Sequence, residues 1–486
     1  VVSERQHRTP LFDALVHLAE SRKLSFHTPG HKSGKGISTR FRKFVGPKIF
    51  EIDLTTLDEV DSLHKPVGVI KEAQELAASA YGADRSFFLV NGTTVGNHAM
   101  ILATTHPGDE VLVARNAHKS ILAGLILSGA HPRFFLPRFD PSWGIILNVV
   151  PEVVREAMDR YPAAKVLTLT SPSYYGIAAD LAGIIPDAKA RGLVILVDEA
   201  HGPHLAFHPR LPLSALQAGA DLCVQSTHKI LGGMTQSSML HVKGSAVDPA
   251  RVARVLQLLQ STSPSYILMA SLDLARMQMA TEGEKLLNKA IELAEEARER
   301  INRIAGLRCL TEEEVKAMGD FRLDVTKLTI SVKDLGLTGF QASSFLNAEF
   351  DIQVEMADLQ NILVIVSIGD RRDDLHRLVL ALERLAGRHA GKRGSSIPLL
   401  LPSFEGRLLL PPREAYFAPS EDLPLRKAEG RVSADIVTVY PPGIPLLVPG
   451  EEITAPAIEY LLHLAGCGAR IDGLLEQGES KIRVVA

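Results

Sequence analysis

The 486-residue sequence predicts an α/β protein built on a mostly parallel seven-stranded sheet, with a smaller α+β domain and a C-terminal domain. Three observations predict it. Between residues 66 and 245, short β-rich apolar runs alternate with helical stretches, which implies right-handed βαβ crossovers and a sheet covered on both faces. Residues able to do chemistry follow directly after several runs, where an open α/β sheet collects its ligands. The chain is also too long for one compact core, so two or three domains are expected.

The seven runs occupy residues 87–90, 110–114, 133–136, 165–170, 193–197, 222–225 and 239–242. Before them, Thr9-Pro10 opens a stretch with apolar residues at helical spacing to residue 22, a capped helix that docks as an arm. The segment His27-Thr28-Pro29-Gly30-His31-Lys32-Ser33-Gly34 holds too many turn formers for a regular element and reads as a loop. After the sheet, residues 280–305 alternate charged and apolar side chains with helical period. The expected domains are an N-terminal arm with active-site loops (1–65), a large domain (66–265), a small α+β domain (266–390) and a C-terminal domain (391–486). The Gly- and Ser-rich residues 391–396 read as the linker to the last.

Composition narrows the partners. With 46% hydrophobic and 22% charged residues the chain is an ordinary globular protein, and a net charge of −3 offers no excess for nucleic acid or anionic lipid. Small-molecule substrates remain. No apolar run approaches the roughly 20 residues of a membrane helix. The polar N-terminus lacks a signal-peptide pattern, so a cytoplasmic location is expected. The three cysteines, Cys223, Cys309 and Cys467, have no C-x-x-C spacing, and no H-E-x-x-H occurs, so no metal site is expected.

The chemistry sits at the run ends. The first run leads into Asn91-Gly92-Thr93-Thr94-Val95-Gly96-Asn97, with residues 98–103 reading as the helix that follows. Glycine, two hydroxyls and a helix start make a phosphate cradle, though a capping turn is the plainer alternative. The fifth run ends on Asp198-Glu199-Ala200-His201, and Asp198 is a candidate acid for a pyridinium nitrogen or, more plainly, a helix cap. The same four letters spell a helicase signature, but no segment has P-loop spacing. The sixth run is followed by Ser226-Thr227-His228-Lys229 and a Gly232-Gly233 turn, placing a lysine amine beside hydroxyl and imidazole groups. The second run ends on Arg115-Asn116-Ala117-His118-Lys119-Ser120, where His118 is suited to stack on a ring and Lys119 is a rival amine. The fourth ends on Ser171-Pro172-Ser173-Tyr174-Tyr175-Gly176, a substrate-facing loop. A phosphate cradle, an acid for a ring nitrogen and an amine for an aldehyde are what pyridoxal 5'-phosphate (PLP) requires, and all three fall on one predicted edge.

These motifs, together with Leu63-His64-Lys65-Pro66-Val67-Gly68-Val69-Ile70 and Tyr440-Pro441-Pro442-Gly443-Ile444-Pro445-Leu446-Leu447-Val448-Pro449-Gly450-Glu451, resemble the bacterial fold-type-I ornithine/lysine/arginine decarboxylases over nearly the whole chain. The resemblance implies an aminotransferase-like fold and PLP-dependent decarboxylation of arginine, lysine or ornithine to a polyamine-pathway amine and carbon dioxide. It assigns Lys229 the Schiff base, Asp198 the pyridine nitrogen and His118 the ring stack. Gly92, Thr93, Thr94, Ser226 and His228 would surround the phosphate, with His201 near the ring or the substrate carboxylate. His31, Asp53, Asp58, Asp61, Ser171 and Tyr174 are substrate candidates, as is Glu59, the acids being suited to a distal cation. The resemblance further implies the short form without the extra N-terminal wing domain. The matching assembly is a homodimer, or a dimer of dimers, with shared active sites. Two rivals stay open on the residues: another fold-type-I reaction such as transamination or acyl-CoA condensation, with Arg371 or Arg372 for a substrate carboxylate, and a silent PLP-binding homologue.

Overall fold

The computed structural model describes residues 4–486 apart from 22, 390–405, 441–442 and 478, so the expected linker at 391–396 lies outside the described residues. The chain resolves into two compact units, residues 1–103 with 196–287 and residues 104–195 with 288–486.

All seven expected strands form. They are β1 (Arg85–Leu89), β2 (Glu110–Ala114), β3 (His131–Phe135), β4 (Val166–Thr170), β5 (Val194–Asp198), β6 (Leu222–Gln225) and β7 (Ser238–Val242). The sheet order is β1-β7-β6-β5-β4-β2-β3. Only β7 is seen to run antiparallel to its neighbours, β1 and β6, while β2 pairs in parallel with both β3 and β4, and β5 with β6. Apart from β3 at the sheet edge, the strands are buried along almost their whole length, as apolar runs without alternation require in a sheet covered on both faces.

The helices that matter for the site are α1 (Pro10–Glu20), α2 (Val69–Tyr81), α3 (Gly92–Thr104), α4 (Lys119–Ser128), the single turn α5 (Thr227–Ile230) and the long α6 (Tyr266–Asn302). Two boundaries correct the sequence expectation. Helix α3 begins at Gly92, six residues before the stretch that reads as helical, because packing overrides the low propensity of Gly-Thr-Thr-Val-Gly. Gly96 is needed there: a Cβ would overlap the Val224 side chain of β6. Helix α6 begins at Tyr266 rather than 280, since its first turns are largely buried and carry few of the alternating charges that mark a surface helix.

In the first unit, the N-terminal segment is fastened to α6 by a buried pair. Asp273 accepts from the Leu11 and Phe12 N–H groups at the start of α1, and Arg276 donates to the Gln6 and Arg8 carbonyls. In the second unit, a four-stranded antiparallel sheet over residues 308–365 packs with the helices Gly339–Phe350 and Arg372–His389 around Leu328, Ile330, Leu346 and Leu382. Residues 420–485 add two three-stranded sheets and the helix Ala455–Gly466, closed over Leu425, Val437, Leu461 and Ile482.

Candidate active site

The carboxyl ends of β5 and β6 and the start of α3 assemble in the first unit. Asp198, 3% exposed, ends β5. One carboxylate oxygen accepts from Asn97 Nδ2 at 2.8 Å and the other from the Ala200 N–H at 3.1 Å. Thr93 lies four residues before Asn97 and so on the same face of α3. Its hydroxyl is hydrogen-bonded to that of Ser226, just past β6. One helix face therefore reaches the acid with one side chain and the Ser226–Lys229 segment with another.

Lys229 follows on α5, its Nζ 2.9 Å from Nε2 of His201. His228 turns the other way and donates from Nδ1 to the Ser237 carbonyl at 2.9 Å. The loop from 231 to 237 is joined to the start of α3 by the Gly92 N–H, which donates to the Gln236 carbonyl at 2.9 Å. Gly92 has φ +71°, a left-handed backbone that glycine takes without strain. Thr94 is exposed at the same helix start. The buried hydroxyls of Thr227 and Ser237 have no hydrogen-bond partner among the described residues. A helix start rich in unpaired N–H groups, several hydroxyls, a fixed carboxylate and an amine suit a phosphate-bearing aldehyde with a basic ring nitrogen.

The next residue, Glu199, is spent elsewhere. It is fully buried and accepts from Gln225 Nε2 at 2.6 Å, the Ala215 N–H at 2.7 Å and Cys223 Sγ at 3.3 Å. Burial pushes its carboxyl up to about 7. Gln225 Oε1 accepts from His241 Nε2, whose Nδ1 accepts from the Ser86 hydroxyl. Burial pushes His241 down to about 3, so it stays neutral. This network ties β1, β7 and β6 to the residue after Asp198.

The N-terminal candidates are held locally. His31 accepts at Nδ1 from the Gly34 N–H and therefore donates from Nε2 to Asp53 at 3.1 Å. Asp58 is exposed, and Glu59 pairs with Lys23 at 2.6 Å. Asp61, 7% exposed, accepts from the N–H groups of Ser62, Val67, Gly68, Ile70 and Lys71, which makes it the anionic cap of α2.

In the second unit, His118 caps α4, and its Nδ1 accepts from the Ser120 N–H at 3.2 Å and the Ser120 hydroxyl at 2.8 Å. The proton of the neutral ring therefore sits on Nε2. Lys119 is 3.5 Å from Asp472. Ser171 accepts from the Ala179 N–H within its own loop, while Tyr174 donates to Glu355 at 2.6 Å and Tyr175 to the half-buried Asp358 at 2.7 Å. Sequence reading gave no role to Asn97 or Glu355. The i, i+4 spacing from Thr93 is the signal that finds Asn97. Nothing local to Glu355 marks it, since its partner lies 181 residues away.

Comparison with known proteins gives the family. A model of the Orn/Lys/Arg decarboxylase major domain matches residues 9–374, and one of the C-terminal domain of the same proteins matches residues 411–478. The chain belongs to the Orn/Lys/Arg decarboxylase family. An arginine decarboxylase from Halalkalibacterium halodurans is 44% identical over 485 residues, covering 99% of this chain and 98% of that protein. The crystal structure of a lysine decarboxylase from Francisella novicida superposes with a TM-score of 0.87 at 26% identity, covering 98% of this chain and 81% of that one. An alanine–glyoxylate aminotransferase from Nostoc, 20% identical, shares the fold with a TM-score of 0.55 over 70% of this chain. The aminotransferase-like fold of type I and the reading as a basic-amino-acid decarboxylase both stand for this family member. Among the described residues, no helix is long and apolar enough to cross a membrane, and no His, Cys, Asp or Glu cluster could hold a metal ion.

Proposed function

We propose that this family member decarboxylates arginine, with PLP held by Lys229. The observation that carries the cofactor reading is the gathering of Lys229 with His201, Asp198 with Asn97, and Thr93 with Ser226 within one compact unit. The 44% identity to an arginine decarboxylase along almost the whole chain supports arginine as the substrate.

Bound PLP supplies the sink for the electron pair left when the bond between Cα and the carboxylate breaks. Asp198, immobilised by Asn97 and the Ala200 N–H, would accept from a protonated ring nitrogen and keep that proton in place. The α3 start with Gly92, Thr93 and Thr94, joined by Ser226 and His228, would receive the phosphate dianion. Lys229 would be the amine that holds the cofactor. His201 Nε2, at hydrogen-bond distance from Nζ, would hold or take up a proton of that amine. His118, its ring oriented by Ser120, would be the residue that stacks on the cofactor ring.

A guanidinium calls for a carboxylate with free acceptor capacity. Asp61 spends both oxygens on backbone N–H groups, so it does not fill this role. Glu355, exposed and oriented by Tyr174, keeps such capacity, as does Asp53 beside His31, and each is a candidate for it. The exposed apolar side chains of Leu24, Phe26, Phe41, Phe44 and Val67 on the N-terminal segment would be covered by a second copy of the chain in a homodimer with shared active sites. Incubation with arginine, lysine and ornithine in turn, measuring amine and carbon dioxide, tests the reaction. Release is expected to be fastest from arginine. Preference for another of the three overturns the substrate, and release from none overturns the activity.

A further inference from the structure

The C-terminal signature over residues 440–451 has no part in the constellation described above. Within the second unit it is bonded to the turn that carries His118, and the bonds bracket that histidine in sequence. On one side, Arg115 leaves the end of β2 with its side chain 3% exposed. It donates to the Pro445 carbonyl at 2.9 Å, the Leu446 carbonyl at 3.1 Å and Glu451 Oε2 at 2.8 Å. Glu451, 5% exposed, also accepts from the Val448 N–H at 3.0 Å, so the carboxylate closes its own loop while holding the guanidinium. On the other side, the Lys119 N–H donates to the Gly443 carbonyl at 3.1 Å. Lys119 opens α4, and the N–H groups of a first helical turn have no partner within the helix.

Between these anchors lies Asn116-Ala117-His118. The turn does little to hold itself. The Ala117 N–H closes it onto the Ala114 carbonyl, but the Asn116 amide is buried with neither its nitrogen nor its oxygen hydrogen-bonded among the described residues. The imidazole is oriented by Ser120, which belongs to the helix whose first N–H is fixed by Gly443. The direction of the ring is therefore inherited from the C-terminal segment through both flanks of the turn.

We propose that residues 443–451 are a positioning element for His118, and that Arg115 and Glu451 are its positioning residues. This rests on the reading of His118 as the residue that stacks on PLP. It gives the signature a task separate from closing the C-terminal core: to hold the plane of one imidazole. A buried guanidinium with three oxygen partners suits that task, because its planar fork fixes direction as well as distance.

The test is a set of cycles on the full-length protein, read by the Kd for PLP from absorbance titration and by the melting temperature of the cofactor-free chain. His118→Ala is expected to weaken PLP binding by about two- to tenfold, the worth of one stacked ring. Glu451→Gln is expected to weaken it within the same range, and Glu451→Asp less. Lys119→Pro deletes the single N–H given to Gly443 at the first helical position, where proline is tolerated. It should weaken binding beyond Lys119→Ala, which removes only the side chain. Each of Glu451→Gln and Lys119→Pro should add nothing once His118 is alanine. Additive losses in the doubles would mean that the segment acts on stability rather than through His118, and would overturn the proposal. Wild-type Kd in Glu451→Gln and Lys119→Pro beside a weakened His118→Ala would overturn it too, leaving the His118 reading intact. Wild-type Kd in His118→Ala would overturn that reading and this one with it. Should Glu451→Gln fail to fold, Lys119→Pro carries the cycle alone.

Discussion

The strand-end edge around Asp198 and the N-terminal segment around Asp61 use the same residue types in opposite ways. Both carry aspartates and histidines in motif-like strings. At the edge, polar groups are satisfied by side chains from other elements: Asn97 for Asp198, His201 for Lys229, Ser226 for Thr93. In the N-terminal segment they are satisfied within the segment itself, as when His31 pairs with Asp53 and Asp61 takes five backbone N–H groups within ten residues. An acid that collects its own backbone is structural. On the proposed function, Asp198 is held instead for a ligand.

Breaking the edge should therefore cost function, and breaking the segment should cost stability. The largest effect is expected from Lys229→Ala: loss of cofactor absorbance and of activity by about 10³-fold or more, with Lys119→Ala retaining the absorbance. The reverse result would move the cofactor to Lys119. Asp198→Asn should lower kcat by about 10²–10³-fold at little cost in melting temperature. Asn97→Ala, which releases Asp198 without removing it, should lower kcat by about tenfold, the worth of a hydrogen bond to a charged group. A wild-type kcat would show that Asp198 needs no positioning.

Glu199 separates the two kinds of acid by pH. Its folded pKa of about 7 lies above the ordinary carboxyl value, so its contribution to stability is fully present below about pH 4.5 and is lost as pH rises towards 7. The amount is on the order of 3 kcal/mol. His241, pushed down to about 3, works in the opposite sense below its ordinary value of 6.5, but it is common to the wild type and Glu199→Gln and cancels between them. Denaturant midpoints of the two proteins should thus diverge in pH slope between about 4.5 and 7. Parallel slopes would show that Glu199 does not titrate there. The smallest effect is expected from Asp61→Ala, a loss of about 2 kcal/mol or less from an uncapped α2, read as a lower melting temperature with KM unchanged. A raised KM at unchanged melting temperature would return Asp61 to the substrate.

What the sequence made legible follows the same division. All seven strands were readable, two of them, β2 and β6, to the residue, because buried parallel strands are apolar throughout and end abruptly on polar residues. Lys229, Asp198 and the Gly92-Thr93-Thr94 turn were readable as candidates because each sits at such an end. The start of α3 was not, since Gly92 to Gly96 is a poor helix in isolation and only its packing on Val224 makes it one. Asp61 was misleading: its string of acidic neighbours looks like a cation site, and its role shows only when the backbone folds around it. Glu355 was invisible, because what singles it out is a tyrosine distant in sequence.

The placing of Thr93 and Asn97 one turn apart on α3 makes that helix a ruler. Four residues advance about 6 Å along the axis, so the distance between the grip at Ser226 and the grip at Asp198 is set by helical geometry rather than by two loops that vary independently. A single inserted residue between them would swing Asn97 about 100° around the axis and unseat one grip while leaving the other. Point substitutions here should dull the enzyme by degrees, whereas a change of length should silence it.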